Sequence, residues 1–296
     1  MLTFQDIYEE TQAQVEDDSA TSLVLIKRAI NVGAKEFGAI LGRDWRVSEK
    51  TFSTVASQQY YQMPEDAIRI KSIRITIGGT VYLLEEVADE DTWIRLNQTS
   101  LTSDIPEYFF IKGEDQFGIY PTPATSTASA GTLSFERRMR DMSQDDYTTG
   151  TISLSNGVAT ASGSGTTFTE TMAGRYLKVN DPEADGMWYK IDSYASATLL
   201  QLENIYSGPT VSGKAYRIGE VPDIPEEFHE SLIDYACFRY YLRRRDPKTA
   251  KEMRSLFIDA LGACQANYGS KTTSQYVRPL RPRFGYRHQR RDYTVS

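Results

Sequence analysis

The chain has 296 residues, of which 40% are hydrophobic and 25% are charged, and its formal net charge is −7. This composition is normal for a globular protein and excludes a chain that is disordered throughout. No apolar run approaches the roughly 18 to 20 residues that span a bilayer, and the N-terminal stretch MLTFQDIYEE lacks the basic-then-apolar pattern of a secretory signal. We therefore expect a protein that folds in a cytoplasm.

Charge is distributed unevenly along the chain. Residues 271–296 hold seven basic residues and one acidic residue, a net charge of +6, so residues 1–270 must carry −13 to reach the total of −7. A strongly acidic body repels a phosphate backbone, whereas a cationic tail attracts either phosphate or an acidic protein surface.

The first segment, which ends at GRDW, predicts two amphipathic helices separated by a cap at Ser19. Apolar residues recur at helical spacing in both helices: Phe4, Ile7, Tyr8 and Val15 in the first, and Leu23, Ile26, Ile30, Phe37 and Leu41 in the second. The acids Glu9, Glu10, Asp17 and Asp18 are interpreted as a solvated face and a helix end, because no histidine or phosphate loop accompanies them.

A β section follows, in which YYQMPEDAIRIKSIRITIGGTVYLLEEV alternates apolar and polar residues around a Gly78-Gly79 hairpin turn. The alternation changes phase between the even positions Ile68 and Ile70 and the odd positions that begin at Ile73. A β-bulge near residues 71 and 72 would keep both sets facing one core. DEDTWIRLNQT predicts a short helix, and PEYFFIKGEDQFGIYPTP and GTLSFERRMRDM predict further strands.

Between residues 148 and 219 the composition changes to small polar residues, glycines and short alternating runs, which predict six or seven strands. Asn156-Gly157 lies between two such runs and is a strong hairpin signal. About 70 residues suffice for a small barrel or sandwich. Alternation favours core packing over an exposed binding platform for the aromatic residues of this segment: Phe168, Tyr176, Trp188, Tyr189, Tyr194 and Tyr206.

Helical sequence resumes at residue 224, with a break at Asp246-Pro247 that fits an N-cap followed by proline, and a stop at Gly269. This helix pair is expected to pack on the N-terminal helices. The predicted fold is α+β: a discontinuous helical-bundle domain with an antiparallel β section (1–147 and 220–270) and an inserted small all-β barrel or sandwich (148–219). Residues 271–296 are predicted to form an extended basic C-terminal tail.

Motifs for catalysis are lacking in the sequence. SGSGTTF has no lysine after its last glycine and is interpreted as a turn, and acidic pairs such as Asp145-Asp146 are interpreted as solvent-exposed. The two cysteines, Cys237 and Cys264, lie in helical patterns and are interpreted as small buried thiols, because a zinc site would need about four clustered Cys, His or carboxylate ligands at short spacing. We predict that the protein is not an enzyme and holds no metal and no cofactor.

The order of these features resembles the head-tail adaptor (connector) proteins of tailed bacteriophages. The resemblance covers residues 3–147 and 220–270 and is carried by helices ending at GRDW, then YYQMPEDAIRIKSIRI, PEYFFIKGEDQFGIYPTP, GTLSFERRMRDM and VPDIPEEFHESLIDYACFRYYL. Separately, the segment at 148–219 resembles small β modules of phage structural proteins through GSGTTFT and YKIDSYASATLLQLENIYSG.

The resemblance implies a structural virion protein that forms a ring, usually of twelve copies, beneath the portal in the head-tail neck. Such a ring connects head to tail, extends the DNA exit channel and offers a docking surface to a tail or nozzle protein. Its partners would be the portal protein and neighbouring copies of itself, and DNA would pass without specific binding; no membrane is involved. The ring would assemble in the host cytoplasm.

The C-terminal segment of such adaptors typically reaches onto the portal, and Pro279 and Pro282 keep this one from forming a long helix. Arginine and tyrosine are favoured interface anchors. The predicted portal-docking residues are Tyr276, Arg278, Arg281, Arg283, Phe284, Tyr286, Arg287, Arg290, Arg291 and Tyr293.

Two other functions stay open on the sequence alone. The basic tail is compatible with an arm that binds nucleic acid, and also with a solvated end that binds nothing. The segment at 148–219 is compatible with a receptor-binding or glycan-binding module on a virion surface, with a tail or capsid contact, or with an outer decoration.

Overall fold

The computed structural model of the chain describes residues 1–269, which fold into five α-helices and fifteen β-strands. The helices are α1 (Phe4–Val15), α2 (Ala20–Ile40), α3 (Glu90–Leu96), α4 (Ser231–Arg243) and α5 (Pro247–Tyr268). The strands of the middle section are β1 (Val47–Thr54), β2 (Tyr60–Gln62), β3 (Ala67–Ile77), β4 (Thr80–Leu83), β5 (Glu85–Glu86), β6 (Tyr108–Lys112), β7 (Gln116–Tyr120) and β8 (Thr127–Arg137). The later strands are β9 (Thr151–Leu154), β10 (Thr160–Ser164), β11 (Tyr176–Val179), β12 (Trp188–Ser196), β13 (Leu199–Leu202), β14 (Val211–Lys214) and β15 (Tyr216–Gly219).

Helices α1, α2, α4 and α5 share one hydrophobic core, so segments from distant parts of the chain form one helical body. Phe37 of α2 is fully buried, and its ring lies 5.7 Å from that of Phe228 and 5.3 Å from that of Phe257, measured between centroids. Apolar side chains spaced at three and four residues on each helix create this core because they share one helical face. The predicted packing of the C-terminal helices on the N-terminal helices is confirmed.

Side-chain caps explain where three of these helices begin. The Thr3 side chain accepts a hydrogen bond from the Asp6 amide at the start of α1, and Ser19 accepts one from the Ser22 amide at the start of α2. Asp246 caps α5, whose first residue is a proline. These side chains satisfy amides that have no partner within the first helical turn, and the predicted caps at Ser19 and Asp246 are confirmed.

The middle section forms two four-stranded sheets that enclose a second core. Their strand orders are β1-β8-β3-β4 and β2-β7-β6-β5, and every pairing is antiparallel except that of β5 with β6. Ile73 and Leu133 from the first sheet and Phe117 and Ile119 from the second are almost fully buried in this core. The predicted short helix is present as α3, between β5 and β6.

The register of β3 confirms one sequence prediction and corrects another. A register shift between Ile70 and Ser72 in the pairing with β8 is the predicted bulge, and it keeps Ile70 and Ile73 both buried. The prediction that Ile68 also faces the core is wrong, because its side chain is 48% exposed. A second register shift, between Ala67 and Arg69, turns Ala67 inward instead.

Seven strands, β9 to β15, form a third sheet with its own core. The sheet order is β14-β9-β10-β13-β12-β11-β15, so its two edge strands are consecutive in the chain and meet at Ala215. Gly157, with φ of 78°, turns the predicted hairpin between β9 and β10. Phe168, Tyr189 and Tyr206 are buried in this core, as predicted. Tyr176 and Trp188 are half-buried, and the prediction is wrong for Tyr194, whose side chain is 38% exposed. We call residues 148–219 the β module; its division from the rest as a separate domain stays a prediction.

Candidate functional site

The predicted portal-docking residues, from Tyr276 to Tyr293, lie outside the described residues. The structure does describe the place from which the chain continues toward them. Gly269 forms a β-bridge with Leu41 at the end of α2, and the Gly42 amide donates a 2.9 Å hydrogen bond to the Tyr268 carbonyl oxygen. The chain therefore leaves the helical body at the C-terminal end of α2.

Tyr268 strengthens this tail exit with two side-chain contacts. Its hydroxyl donates a 2.6 Å hydrogen bond to Glu227, and its ring lies 5.4 Å from that of Trp45 in an edge-on arrangement. Trp45 is 45% exposed although it is large and apolar. The tail exit is thus attached both to the end of α2 and to the short 3-10 turn that precedes α4, and it presents an aromatic surface.

A charged junction connects α1 to the last strand of the β module. The Arg217 guanidinium donates to both carboxylate oxygens of Asp6, at 2.8 and 3.0 Å, and lies 3.3 Å from Asp146. The Thr3 hydroxyl donates to Asp146 at 3.0 Å. Burial by itself would raise the pKa of Asp6, but the bonds from Arg217 and Thr3 outweigh it and lower that pKa.

Asp146 corrects the expectation that the Asp145-Asp146 pair is solvent-exposed. The Asp146 side chain is only 6% exposed, whereas that of Asp145 is 61% exposed. Burial raises the pKa of Asp146, although the Thr3 hydroxyl and Arg217 oppose the shift. Arg175, also buried, donates to the carbonyl oxygens of Asp145 at 2.6 Å and Ile218 at 3.0 Å. The junction therefore packs the β module firmly against the helical body.

A groove of about 670 Å³ lies between the N-terminal half of α2 and the C-terminal half of α4. Its floor includes the buried apolar residues Ile26, Ala29 and Ala236, and its rim carries Arg28, Arg239, Arg243 and Arg244. Of these arginines, Arg244 alone forms an ion pair within residues 1–269. We call this cleft the arginine groove.

Asp17 lies at one end of the arginine groove and joins three helices. It accepts hydrogen bonds from the Ser22 hydroxyl at 2.7 Å, the Tyr240 hydroxyl at 2.7 Å and the Arg244 guanidinium at 2.6 Å. The prediction that Asp17 is a solvated helix end is wrong, because its side chain is only 12% exposed. Donation from Ser22 and Ser19 holds the pKa of Asp17 well below its usual range.

Replacing Asp17 with asparagine is expected to destabilise the protein near neutral pH and to have less effect in acid. Because the folded-state pKa of Asp17 lies below its ordinary value of 3.8, the carboxylate stabilises the fold above that value and ceases to do so as the pH falls. The difference in urea midpoint between wild type and D17N should therefore shrink below about pH 4.

The matched control is D18N, which makes the same change of charge at an exposed neighbour. It should leave the urea midpoint nearly unchanged at every pH. A D17N difference that is constant from neutral to acid pH would show that the carboxylate charge is not what stabilises this helix corner.

The opposite side of α4 is acidic. Glu230 is exposed and Asp234 is half-buried, and burial together with the neighbouring Glu230 carboxylate raises the pKa of Asp234. We call Glu230 and Asp234 the acidic face.

Residues 1–269 contain no group of three or more His, Cys, Asp or Glu side chains that could hold a metal ion. Cys237 and Cys264 are buried free thiols as predicted, and burial raises their pKa values to about 12 and about 11. Such thiols are poor nucleophiles at neutral pH. No described helix is both long and apolar enough to cross a membrane.

The fold and these surfaces define a mixed α+β protein whose helical body carries oppositely charged sides and a fixed exit for a basic segment. Residues 2–162, more than half of the chain, match the family model described as SU10 adaptor protein. The chain belongs to this family and is a structural adaptor protein of a phage. The predicted resemblance to phage head-tail adaptors is confirmed at that level. No curated protein matches the chain.

Proposed function

We propose that the protein forms an oligomeric ring beneath the portal of a tailed phage, connecting head to tail and extending the DNA exit channel. Membership of the adaptor family carries this proposal. The ring has twelve copies, the number that the resemblance implies, and its role is structural rather than catalytic. Its partners are the portal protein, neighbouring copies of the chain and a tail or nozzle protein.

The charge distribution supports this role. Residues 1–270 carry a net charge of −13, and an acidic channel wall repels the phosphate backbone of DNA that passes through it. In the same proposal the basic tail binds the portal, with Arg278, Arg281 and Arg283 among the anchors. The tail exit supports it as well, because Tyr268 and Gly269, which come just before the tail, are bonded to the residues at the C-terminal end of α2.

The proposal is tested by electron microscopy of the purified full-length protein, imaged alone and together with the purified portal of the same phage. We expect a closed ring of the protein bound to the face of the portal from which DNA leaves. A chain that stays monomeric and forms no ring even on the portal would refute the proposed function.

A further inference from the structure

Helix α4 carries opposite charges on opposite sides. Successive residues of an α-helix are rotated by about 100°, so residues nine positions apart lie on opposite sides. Glu230 and Arg239 are separated in this way, and so are Asp234 and Arg243. The arginine groove and the acidic face therefore point in opposite directions from one helix.

The arginine groove has the chemistry of a protein-binding surface. Arg28, Arg239 and Arg243 make no ion pair within residues 1–269 and surround a floor that includes Ala29 and Val32. A guanidinium bonds a carboxylate with two parallel hydrogen bonds, and an apolar floor with a charged rim is the usual anatomy of a protein interface. A phosphate backbone would gain nothing from the apolar floor, so these contacts favour a protein over DNA.

The acidic face has the complementary chemistry. Asp234 is half-buried beside Glu230, and both its burial and this like charge disfavour its ionised form. A guanidinium brought against Asp234 by another molecule would favour the ionised carboxylate and so oppose both effects. The negative charge of this face is complementary to the positive charge on the rim of the arginine groove.

We propose that the arginine groove of one copy receives the acidic face of the next copy, so that the chain associates head to tail. Two different complementary surfaces on opposite sides of a subunit generate a ring when the rotation between neighbours closes. This inference rests on the proposed ring and names the surfaces that build it. Its occupant is a second copy of this chain.

Charge reversal tests the pairing directly. The groove variant, R239E/R243E, would place an acidic groove against an acidic face, and the face variant, E230R/D234R, would place a basic face against a basic groove. Each variant alone should self-associate roughly 30-fold or more weakly than wild type, because like charges then oppose each other at a desolvated contact. The measurement is sedimentation velocity of the full-length chain at low salt, over a wide concentration range.

An equimolar mixture of the two variants gives the decisive result. The acidic groove of one variant then meets the basic face of the other, while the unchanged groove and face form the second contact, so association should return. The four-fold variant that combines both changes should likewise associate by itself. The matched control is K248E/K251E, which reverses two exposed charges on α5 and should associate as wild type does.

Different results would contradict the pairing of groove with face and the proposed ring on the portal. If the variants associate as wild type does, or if mixing restores nothing, the assigned pairing is wrong. A wild-type chain that shows no self-association at any concentration also overturns it. In each case a ring seen on the portal by electron microscopy would leave the proposed function standing. Circular dichroism of every variant confirms that a lost contact is not lost folding.

Discussion

Replacing Phe37 with alanine is expected to lower the free energy of unfolding by about 3–5 kcal/mol. The Phe37 side chain is fully buried, and its ring packs against Phe228 and Phe257 at centroid separations of 5.7 and 5.3 Å. Alanine removes the burial of a whole ring and leaves a cavity that these neighbours fill only in part. Since Phe37 belongs to the N-terminal segment and its two partners to the C-terminal segment, the loss tests whether both fold as one body.

The measurement is urea unfolding followed by far-ultraviolet circular dichroism, which reports mainly on the helices. The control is L256A on α5, where the side chain is 51% exposed and the expected change is within about 0.5 kcal/mol. If F37A lowers the free energy of unfolding by no more than L256A does, the packing of α2 against α5 does not stabilise the helical body. If the helical signal is lost in two separate steps in wild type, the segments do not unfold together.

Much of the fold follows from local patterns in the sequence. Helical spacing predicts the buried face of α1 and α2, and Ser19 and Asp246 mark the starts of α2 and α5 because their side chains cap amides close in sequence. The glycine turn at residues 78 and 79 and the hairpin at Gly157 follow from the positive φ that such turns require. In each case the interaction that decides the structure lies within a few residues.

The surfaces of the candidate site depend on contacts that no local pattern contains. Asp6 and Arg217 are 211 residues apart in the chain, yet they form the bidentate pair of the junction. Arg28 reaches the arginine groove only because α2 packs on α4, although the basic run at the end of α4 is evident in the sequence. The sequence does contain one local signal for Asp17, which lies two residues before Ser19. At that spacing an aspartate side chain often accepts a hydrogen bond from the backbone amide, as Asp17 does from the Ser19 amide.

Ile68 shows that a single register shift can make a prediction from apolar alternation wrong. Alternation predicts the face of a strand residue only while the pairing stays in register, and one shift moves every later side chain to the other face. The sequence indicates one change of phase in β3, whereas the pairing with β8 contains two shifts. The second shift lies at the start of the strand, where no run of apolar residues indicates it.

Removing residues 271–296 is expected to prevent attachment of the protein to the portal while residues 1–270 stay folded. The removed segment carries a net charge of +6 and the arginine and aromatic anchors proposed above. Loss of even one strong anchor of an interface costs 2 kcal/mol or more, roughly 30-fold in affinity, and this deletion removes all of them together. The cut falls after residue 270 because Gly269 pairs with Leu41 and Tyr268 contacts Trp45.

Attachment is measured by co-sedimentation with purified portal, and the unfolding curve of the truncated chain should match that of the full-length protein. A second variant changes the tail arginines to lysine, which keeps the charge but loses the guanidinium fork. If attachment depends on carboxylates bound by that fork, the lysine variant should lie between wild type and the truncation. If it depends on charge alone, the lysine variant should attach as wild type does.

DNA binding through the tail makes a different prediction for the same proteins. An arm that neutralised about six phosphates would lose roughly a thousandfold in affinity for DNA between 50 and 200 mM salt. We expect the full-length protein to show no such binding, because the net charge of −13 on residues 1–270 opposes it. Two results together would contradict the portal-docking role. The truncated protein would attach to the portal as well as the full-length protein does, and DNA binding by the full-length chain would fall steeply with salt. The tail would then bind DNA rather than the portal.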